Sequence, residues 1–519
     1  MRRGRWIEVC WYALLSAIAL GANLARGTQF YVAPGGSNSA AGTAAAPWAT
    51  LQHAANVVSA GDRVVVRPGN YKGFYLSARG TPGNPIEFFA EPGVLINVPT
   101  DGAGNQDGIN LERAWHVIID GFAVTGMPRA GVRSVGLPTE FAKFVTIRNV
   151  HAYDNGYWGI FTGHVNDLLI ENNETSGSTI EHGIYVSNSG DRPVIRGNRS
   201  WGNRSNGIHM NGDESEGGDG VISDALVSGN IIYDNGLGGG SGINMDGVQD
   251  SRIENNLIYN AHSSGISLYQ IDGGGPSSGN EVVNNTIHQA SNGRWALNIQ
   301  GKDDDDPETP GAIDNTVLNN ILVTQHSFRG AIDISADSLP GLVSDYNAVI
   351  SRFTTNDSAS VISLAAWRTQ TGQDAHSFVA TPAALFENWV AGDYRLKAGS
   401  PAINAGTGTL APPIDLFGNS RPTGAVDIGA IEFGSASTAD FNEDGSVDAD
   451  DLVAWRGAFG STMAADADSD NDADGADFLA WQRQLGGGTA MTAVPEPASL
   501  ALLAPSLGFA ALRGRVRPR

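Results

Sequence analysis

Six side chains in the middle of this sequence are of the kinds that move protons in sugar chemistry: His182, Tyr185, His209, Asp213, Asp246 and Lys302. Taking the proton beside a sugar carboxylate needs a base such as His, Tyr, Arg or Lys, and the carboxylate must be neutralised so that its neighbouring C–H becomes acidic. Cutting a glycosidic bond with water needs instead two carboxyl groups, one acid and one base. His209 and Tyr185, with His182 nearby, suit the first reaction. Asp213 and Asp246 suit either, as calcium ligands or as the acid and base of an inverting hydrolase. Lys302, one of four lysines, precedes Asp303, Asp304, Asp305 and Asp306, the pairing of base and carboxylates that a calcium-assisted elimination would use.

A second set of ligating residues occurs twice, at an offset of 26 residues. Asp440, Asn442, Asp444, Ser446, Asp448 and Asp451 recur as Asp466, Asp468, Asp470, Asp472, Asp474 and Asp477. Side-chain oxygens at loop positions 1, 3, 5, 9 and 12, with the backbone carbonyl of position 7, are what a loop needs to wrap a hard cation. Gly445 fills the sharp-turn position of the first loop and Asn471 that of the second, and each loop leads into a short amphipathic segment with Trp455 or Trp481. Two calcium ions are expected here. Residues 435–485 carry a net charge of −10, so this stretch should be loose without metal.

What positions the first set is a repeat. A short strand signature recurs nine times between Asp107 and Ile334, clearest at Gly159-Ile160-Phe161, Gly183-Ile184-Tyr185-Val186, Gly207-Ile208-His209-Met210, Gly242-Ile243-Asn244-Met245 and Gly265-Ile266-Ser267-Leu268. From Gly108 the intervals are 23, 28, 24, 24, 35 and 23 residues, which suits one turn of a stacked solenoid with loops of variable length. A second ladder, Asn173, Asn198, Asn230, Asn256, Asn285 and Asn320, follows the same drift. Asparagine tolerates a left-handed turn and can bond to its stacked copy.

With the residue after each Gly pointing inward, positions one before, two after and four after it point outward and stack into columns. One column reads Asn110, Arg133, Phe161, Tyr185, His209, Asn244, Ser267, the next Ser187, Asn211, Asp246, Tyr269, and the one before Gly includes Asp107, Trp158, His182 and Asn206. Amides, hydroxyls and aromatics in a strip suit hydroxyl-rich sugars, so Trp158, Asn211, Asn244, Tyr269, Asn298 and Gln300 are expected to bind substrate. Strand spacing puts His209 about 5 Å from Tyr185, His182 roughly 10 Å from His209, Asp213 roughly 8 Å from Asp246, and Lys302 roughly 14 Å from the His209 level. His182 and His209 are therefore not read as a metal pair, and Lys302 as part of a separate subsite.

Composition narrows the partners. The net charge of −23 in 519 residues excludes duplex nucleic acid as the natural partner, and it repels an acidic polysaccharide at long range unless a cation or a local basic strip reverses the field. Arg2, Arg3 and Arg5, an apolar stretch from Trp11 to Leu24 and the small-residue site Ala25-Arg26-Gly27 read as an export signal. The single cysteine, Cys10, falls inside it, which leaves an exported chain with no disulfide.

Several segments resemble known families. Gln29–Ser37, Pro47–Ala54 and Gly61–Tyr71 resemble the opening of right-handed parallel β-helix proteins of the pectate-lyase-like superfamily, in which a helix, here Thr50 to Val58, caps the solenoid. Gly399–Gly406 and Asp427–Glu432 resemble the closing segment of many secreted members. The paired loops ending in Asp451 and Asp477 resemble a type I dockerin, which implies calcium and a cohesin-type partner. Val494-Pro495-Glu496-Pro497-Ala498-Ser499, the apolar run to Leu512 and the closing arginines resemble the PEP-CTERM signal, which implies removal by a sorting enzyme and an extracellular or cell-envelope address. The expected organisation is a signal peptide (1–27), an all-β right-handed parallel β-helix solenoid (28–434), a small α-helical dockerin-like calcium-loop module (435–488) and a sorting signal (489–519). The expected activity is a polysaccharide lyase on an acidic, pectate-like chain. An inverting hydrolase, an epimerase or a non-catalytic glycan-binding surface protein remain open on the same groove, as does a further calcium ion within it.

Overall fold

The computed structural model describes residues 27–100, 106–302, 311–422, 424–434, 439–442, 447–460, 465–467 and 473–484. The export signal up to Arg26, the sorting signal, Asp303–Asp306, and the loop residues Asp444, Ser446, Asp468, Asp470 and Asp472 lie outside them. The chain divides into two compact units that change over at Ala436 and Ser437.

Alternation of apolar and polar residues in short strands builds three parallel sheets, and the chain visits each of them once per turn. This is a parallel β-helix. The first sheet runs from Gln29–Val32 to Val343–Asp345, the second from Phe74–Leu76 to Phe353–Thr354, and the third from Gly69–Lys72 to Phe378–Val379. Nine described strands of the second sheet lie between Ile109 and Ile334, one for each strand signature. Their inward side chains stack in register, as in Ile160, Ile184, Ile208, Ile243, Ile266, Leu297 and Ile332, all 0% exposed. The glycine before each of the first five is there for space, and Ala296 and Ala331 take its place before Leu297 and Ile332. A Cβ on Gly207 would sit 2.4 Å from the Ile232 methyl and 2.9 Å from the Asn235 amide nitrogen.

The asparagine ladder turns the corner between the first and third sheets. Each buried amide donates to the next one's oxygen, from Asn173 to Asn198 (2.9 Å) through Asn230, Asn256 and Asn285 to Asn320, and the same oxygen accepts that residue's backbone N–H. It extends one coil further, to Asn347. The left-handed residue is not the ladder asparagine, as expected, but the one before it: Asn172, Gly197, Gly229, Asn255, Asn284 and Asn319. The turn frees the side chain after it to reach along the stack.

The helix Leu51–Val57, capped by the Thr50 hydroxyl, lays Leu51, Ala54 and Ala55 on the first coils as expected. At the far end, the helix Leu364–Thr371 does this work, with Trp367 fully buried and stacked 4.9 Å from Phe353. The expected closing segments take another course. They lie along the flank, where Arg421, Asp427 and Gly429 bond to Asn255 and Asn284 and Ala430 to Thr286, because buried polar groups at the corner need partners there.

The C-terminal unit holds two helices, Ala449–Ala458 and Gly475–Gln484. Asp451 and Asp477, both 0% exposed, fold back over their own loops. Asp451 accepts the N–H groups of Asn442 and Asp448, and Asp477 those of Ala467 and Asp474. The tryptophans cross over: Trp455 Nε1 donates to the Asp474 carbonyl at 2.9 Å, and Trp481 Nε1 to the Asp448 carbonyl at 2.7 Å.

Candidate functional site

The outer face of the second sheet carries the expected columns row by row. Asn110, Arg133, Phe161, Tyr185, His209, Asn244 and Ser267 are successive register partners, as are Ser187, Asn211, Asp246 and Tyr269. The first column also continues to Asn298 and Asp333.

At its centre is an aromatic cluster. The His209 ring centroid lies 4.7 Å from Tyr185, as strand spacing requires, and Trp158 stacks on Phe161 at 4.3 Å. His182 departs from expectation, because its ring lies 4.7 Å from His209 and not roughly 10 Å. The chain bends at Glu181 and Gly183, just before the strand Ile184–Ser187, so the row ahead of Gly converges on the next. The two imidazoles are adjacent, yet among the described residues no group of three or more His, Cys, Asp or Glu is arranged to hold a metal ion.

Burial sets the proton states. His209, 8% exposed, has its imidazole driven down to about 4 by desolvation. His182 is lowered well below its ordinary value, by burial and then by His209, while its Nδ1 accepts from the Asn206 N–H at 3.2 Å. Burial raises the Tyr185 phenol, against hydrogen bonds from Ser187 and Asn211 that lower it. At neutral pH all three are uncharged. Asn244 Nδ2 lies 3.1 Å from His209 Nδ1 and 2.6 Å from the Tyr269 hydroxyl, tying three rows together.

The two aspartates do not face each other as a pair. Asp213 leaves the strand in a left-handed conformation (φ 45°), where its carboxylate caps the turn Glu214–Glu216 through Ser215. Asp246 is 1% exposed, and its oxygens accept three backbone N–H groups, from Ile271, Asp272 and Gly273. It anchors a loop with both of its oxygens, a use that the expected acid-and-base or calcium-ligand pairing did not include. Lys302 ends a strand three coils beyond His209, with a register shift between Leu268 and Gln270 on the way.

Two open pockets flank the cluster. One of about 410 Å³ is lined by Arg133, Phe161, His164, Tyr185, Asp213 and Glu216. The other, about 340 Å³, includes Asn244, Tyr269, Asn298 and Gln300, four of the expected binding residues, together with Gln270, Arg294, Arg329, Asp333 and Asp357. Sequence reasoning missed these last five. Asp333 was within reach, since Ala331-Ile332-Asp333-Ile334 continues the strand signature. Burial pushes its carboxyl up to about 6, against the Ser358 hydroxyl that lowers it.

Residues 30–267 match the family model described as Pel9A-like, right handed beta helix region. Among solved structures the chain is similar to the pectate lyase Pel9A, at 16% identity and a TM-score of 0.54 over 79% of this chain and 98% of that one. It is also similar to an alginate lyase from Paenibacillus sp. str. FPU-7 (20% identity, TM-score 0.41, 54% and 94% covered) and to a rhamnogalacturonan lyase (14%, 0.44, 79% and 96%). No curated protein matches the chain. The family match and the likeness to Pel9A show a right-handed parallel β-helix, and the fold alone.

Proposed function

We propose that the protein is an exported polysaccharide lyase acting on an acidic chain, with Tyr185 and His209 as the proton-transfer pair. The observation that carries this is the buried, uncharged His209 ring tilted against uncharged Tyr185 between two open pockets. Trp158 and Phe161 offer the apolar surface on which a sugar ring rests. The pectate lyase name of the similar Pel9A supports the substrate class.

Asn244 sets which proton move His209 can make. With its amide nitrogen toward the ring, Nδ1 is an acceptor and Nε2 carries the proton. Half a turn of the amide puts oxygen in the same place, where it accepts from Tyr269 O–H and from His209 Nδ1–H, and 2.6 Å is a natural O–H···O length. Nε2 then holds a free lone pair. In that state His209 removes the proton beside the sugar carboxylate, and Tyr185 O–H protonates the leaving oxygen. The C–O bond breaks as the C=C bond forms, and Arg133, which lines the same pocket as Tyr185 and bonds to Glu112, is the cation proposed to meet the substrate carboxylate.

The duplicated loops are proposed to bind one calcium ion each. Asp451 and Asp477, wholly buried carboxylates aimed back over their own loops, fit that use, with Asp440, Asn442, Asp448, Asp466 and Asp474 around them. The bound ion would order the loops and supply no chemistry to the groove. A cohesin-type partner, the sorting enzyme and a surface location follow from the dockerin and PEP-CTERM resemblances and stand as part of the proposal.

Absorbance of unsaturated products at the ultraviolet band of the new double bond, with polygalacturonate, alginate and rhamnogalacturonan as substrates, tests the reading. A rise lost in His209→Ala supports it. New reducing ends without absorbance would favour the hydrolase, and neither signal a glycan-binding protein.

A further inference from the structure

The pocket of about 340 Å³ beyond the aromatic cluster has a charge arrangement that the proton-transfer pair does not use. Its two carboxylates are already occupied: Asp333 accepts the Ser358 N–H and hydroxyl, and Asp357 accepts the Gln300 amide. Asp357 and Ser358 are consecutive left-handed residues (φ 51° and 59°), pinned by the Trp295 Nε1 bond to Ser358 at 2.8 Å. Such conformations persist only where surrounding contacts enforce them. Its two cations are in the opposite condition. Arg294, exposed, and Arg329, half-buried, form no ion pair or side-chain hydrogen bond among the described residues.

A third observation points to a ligand. Gln270 is 8% exposed, and while its Nε2 donates to the Gly273 carbonyl at 3.0 Å, its Oε1 has no partner. Gln270 lines the pocket beside a register shift whose extra residue lies on the strand Leu297–Lys302. A buried carbonyl oxygen without a donor is costly, and a ligand hydroxyl would satisfy it.

We propose that this pocket is a subsite for a carboxylated sugar, in which Arg294 and Arg329 hold the carboxylate and the Gln270 carbonyl accepts a hydroxyl. Guanidinium matches a carboxylate with two parallel N–H···O bonds, and neither arginine has a hydrogen bond or close ion pair among the described residues to give up, although Arg329 feels the Asp333 carboxylate. The idea deepens the proposed function and rests on it for the acidic substrate class, though not for catalysis. The subsite lies two to four coils from His209, so it holds a sugar some units away from the bond that reacts. Its two guanidinium groups offset the Asp333 and Asp357 carboxylates, so the net repulsion of a strongly acidic protein is relieved locally.

Calorimetric titration of the full chain with trigalacturonate and with its methyl ester, a neutral isostere, tests the subsite. The free acid is expected to bind about tenfold or more tightly than the ester, and this preference should fall several-fold in the Arg294→Gln, Arg329→Gln double variant, with any remainder due to Arg133. Arg294 is exposed, so Arg294→Glu alone repeats the test without risk to folding. Equal binding of acid and ester, an unchanged preference in both variants, or no heat with either sugar would overturn the proposal. A sulfated oligosaccharide that binds where trigalacturonate does not would overturn it too. Unsaturated product formed without any acid preference would leave the lyase reading in place and remove only the subsite. Acid preference without product would do the reverse.

Discussion

The asparagine corner and the outer face of the second sheet are made by one operation, the stacking of register partners about one coil apart, yet they end in opposite conditions. At the corner every row repeats the same residue, so each amide finds its donor and acceptor in its own copies and water is shut out. On the sheet face each row differs, from Arg133 to Phe161, Tyr185, His209 and Asn244, and repetition satisfies nothing. Identical stacking spends polar groups on the fold. Unlike stacking leaves them facing outward, some held uncharged by burial, for something else to meet.

If that contrast is right, substitutions in the two regions separate stability from activity. His209→Gln, which keeps much of the buried volume, should lower the rate of product formation by about 10²- to 10⁴-fold with a smaller loss in the urea midpoint than a ladder variant shows. Asn230→Ala should do the opposite. It strands the Asn198 amide and N–H and the Ile195 carbonyl, so a loss of about 3 kcal/mol in urea unfolding is expected, with unchanged activity in the folded fraction. A groove variant that unfolds the coil, or a ladder variant that kills activity without unfolding it, would break the comparison.

The pH dependence sharpens it further. A base with its imidazole at about 4 stays neutral down to that pH, so the acid limb of kcat/KM should fall near 4 and not near the ordinary 6.5. The same depressed value withdraws stability as pH falls from 6.5 through about 4, since the unfolded chain takes up the proton first. A limb near 6.5 would show a solvated His209. The smallest effect on the solenoid should come from chelating calcium. Helical circular dichroism from Ala449–Ala458 and Gly475–Gln484 is expected to drop, while the β-sheet signal and turnover stay.

The sequence made the coils and both outward columns legible, because a period of two residues within a strand and about two dozen between strands leaves little freedom in which rows meet. The capping helix at Leu51–Val57 was legible from its Thr50 cap and flanking motifs. Side-chain reach was not. His182 comes to His209 because the chain bends at the coil corner, and a fixed strand spacing has no term for bends. Asp213 and Asp246 were both assigned to the groove by position, but Asp213 lines a pocket there with its carboxylate capping its own turn, while backbone N–H groups of a neighbouring loop claimed Asp246. Loop donors cannot be read before the loop's path is known. The pocket around Arg294 and Asp333 is a meeting of segments more than a hundred residues apart, and of its residues that sequence reasoning missed only Asp333 carries the strand signal.

The asparagine ladder has a consequence for how such a chain can change. Successive rungs are separated by 25, 32, 26, 29, 35 and 27 residues, yet each makes the same bonds to the next. The ladder fixes the height of a coil and is indifferent to the contour length spent in going round it. Insertions can therefore lengthen the loops beside the groove one coil at a time without disturbing the coils above and below. Specificity on this scaffold is free to drift by loop growth while the core keeps its step.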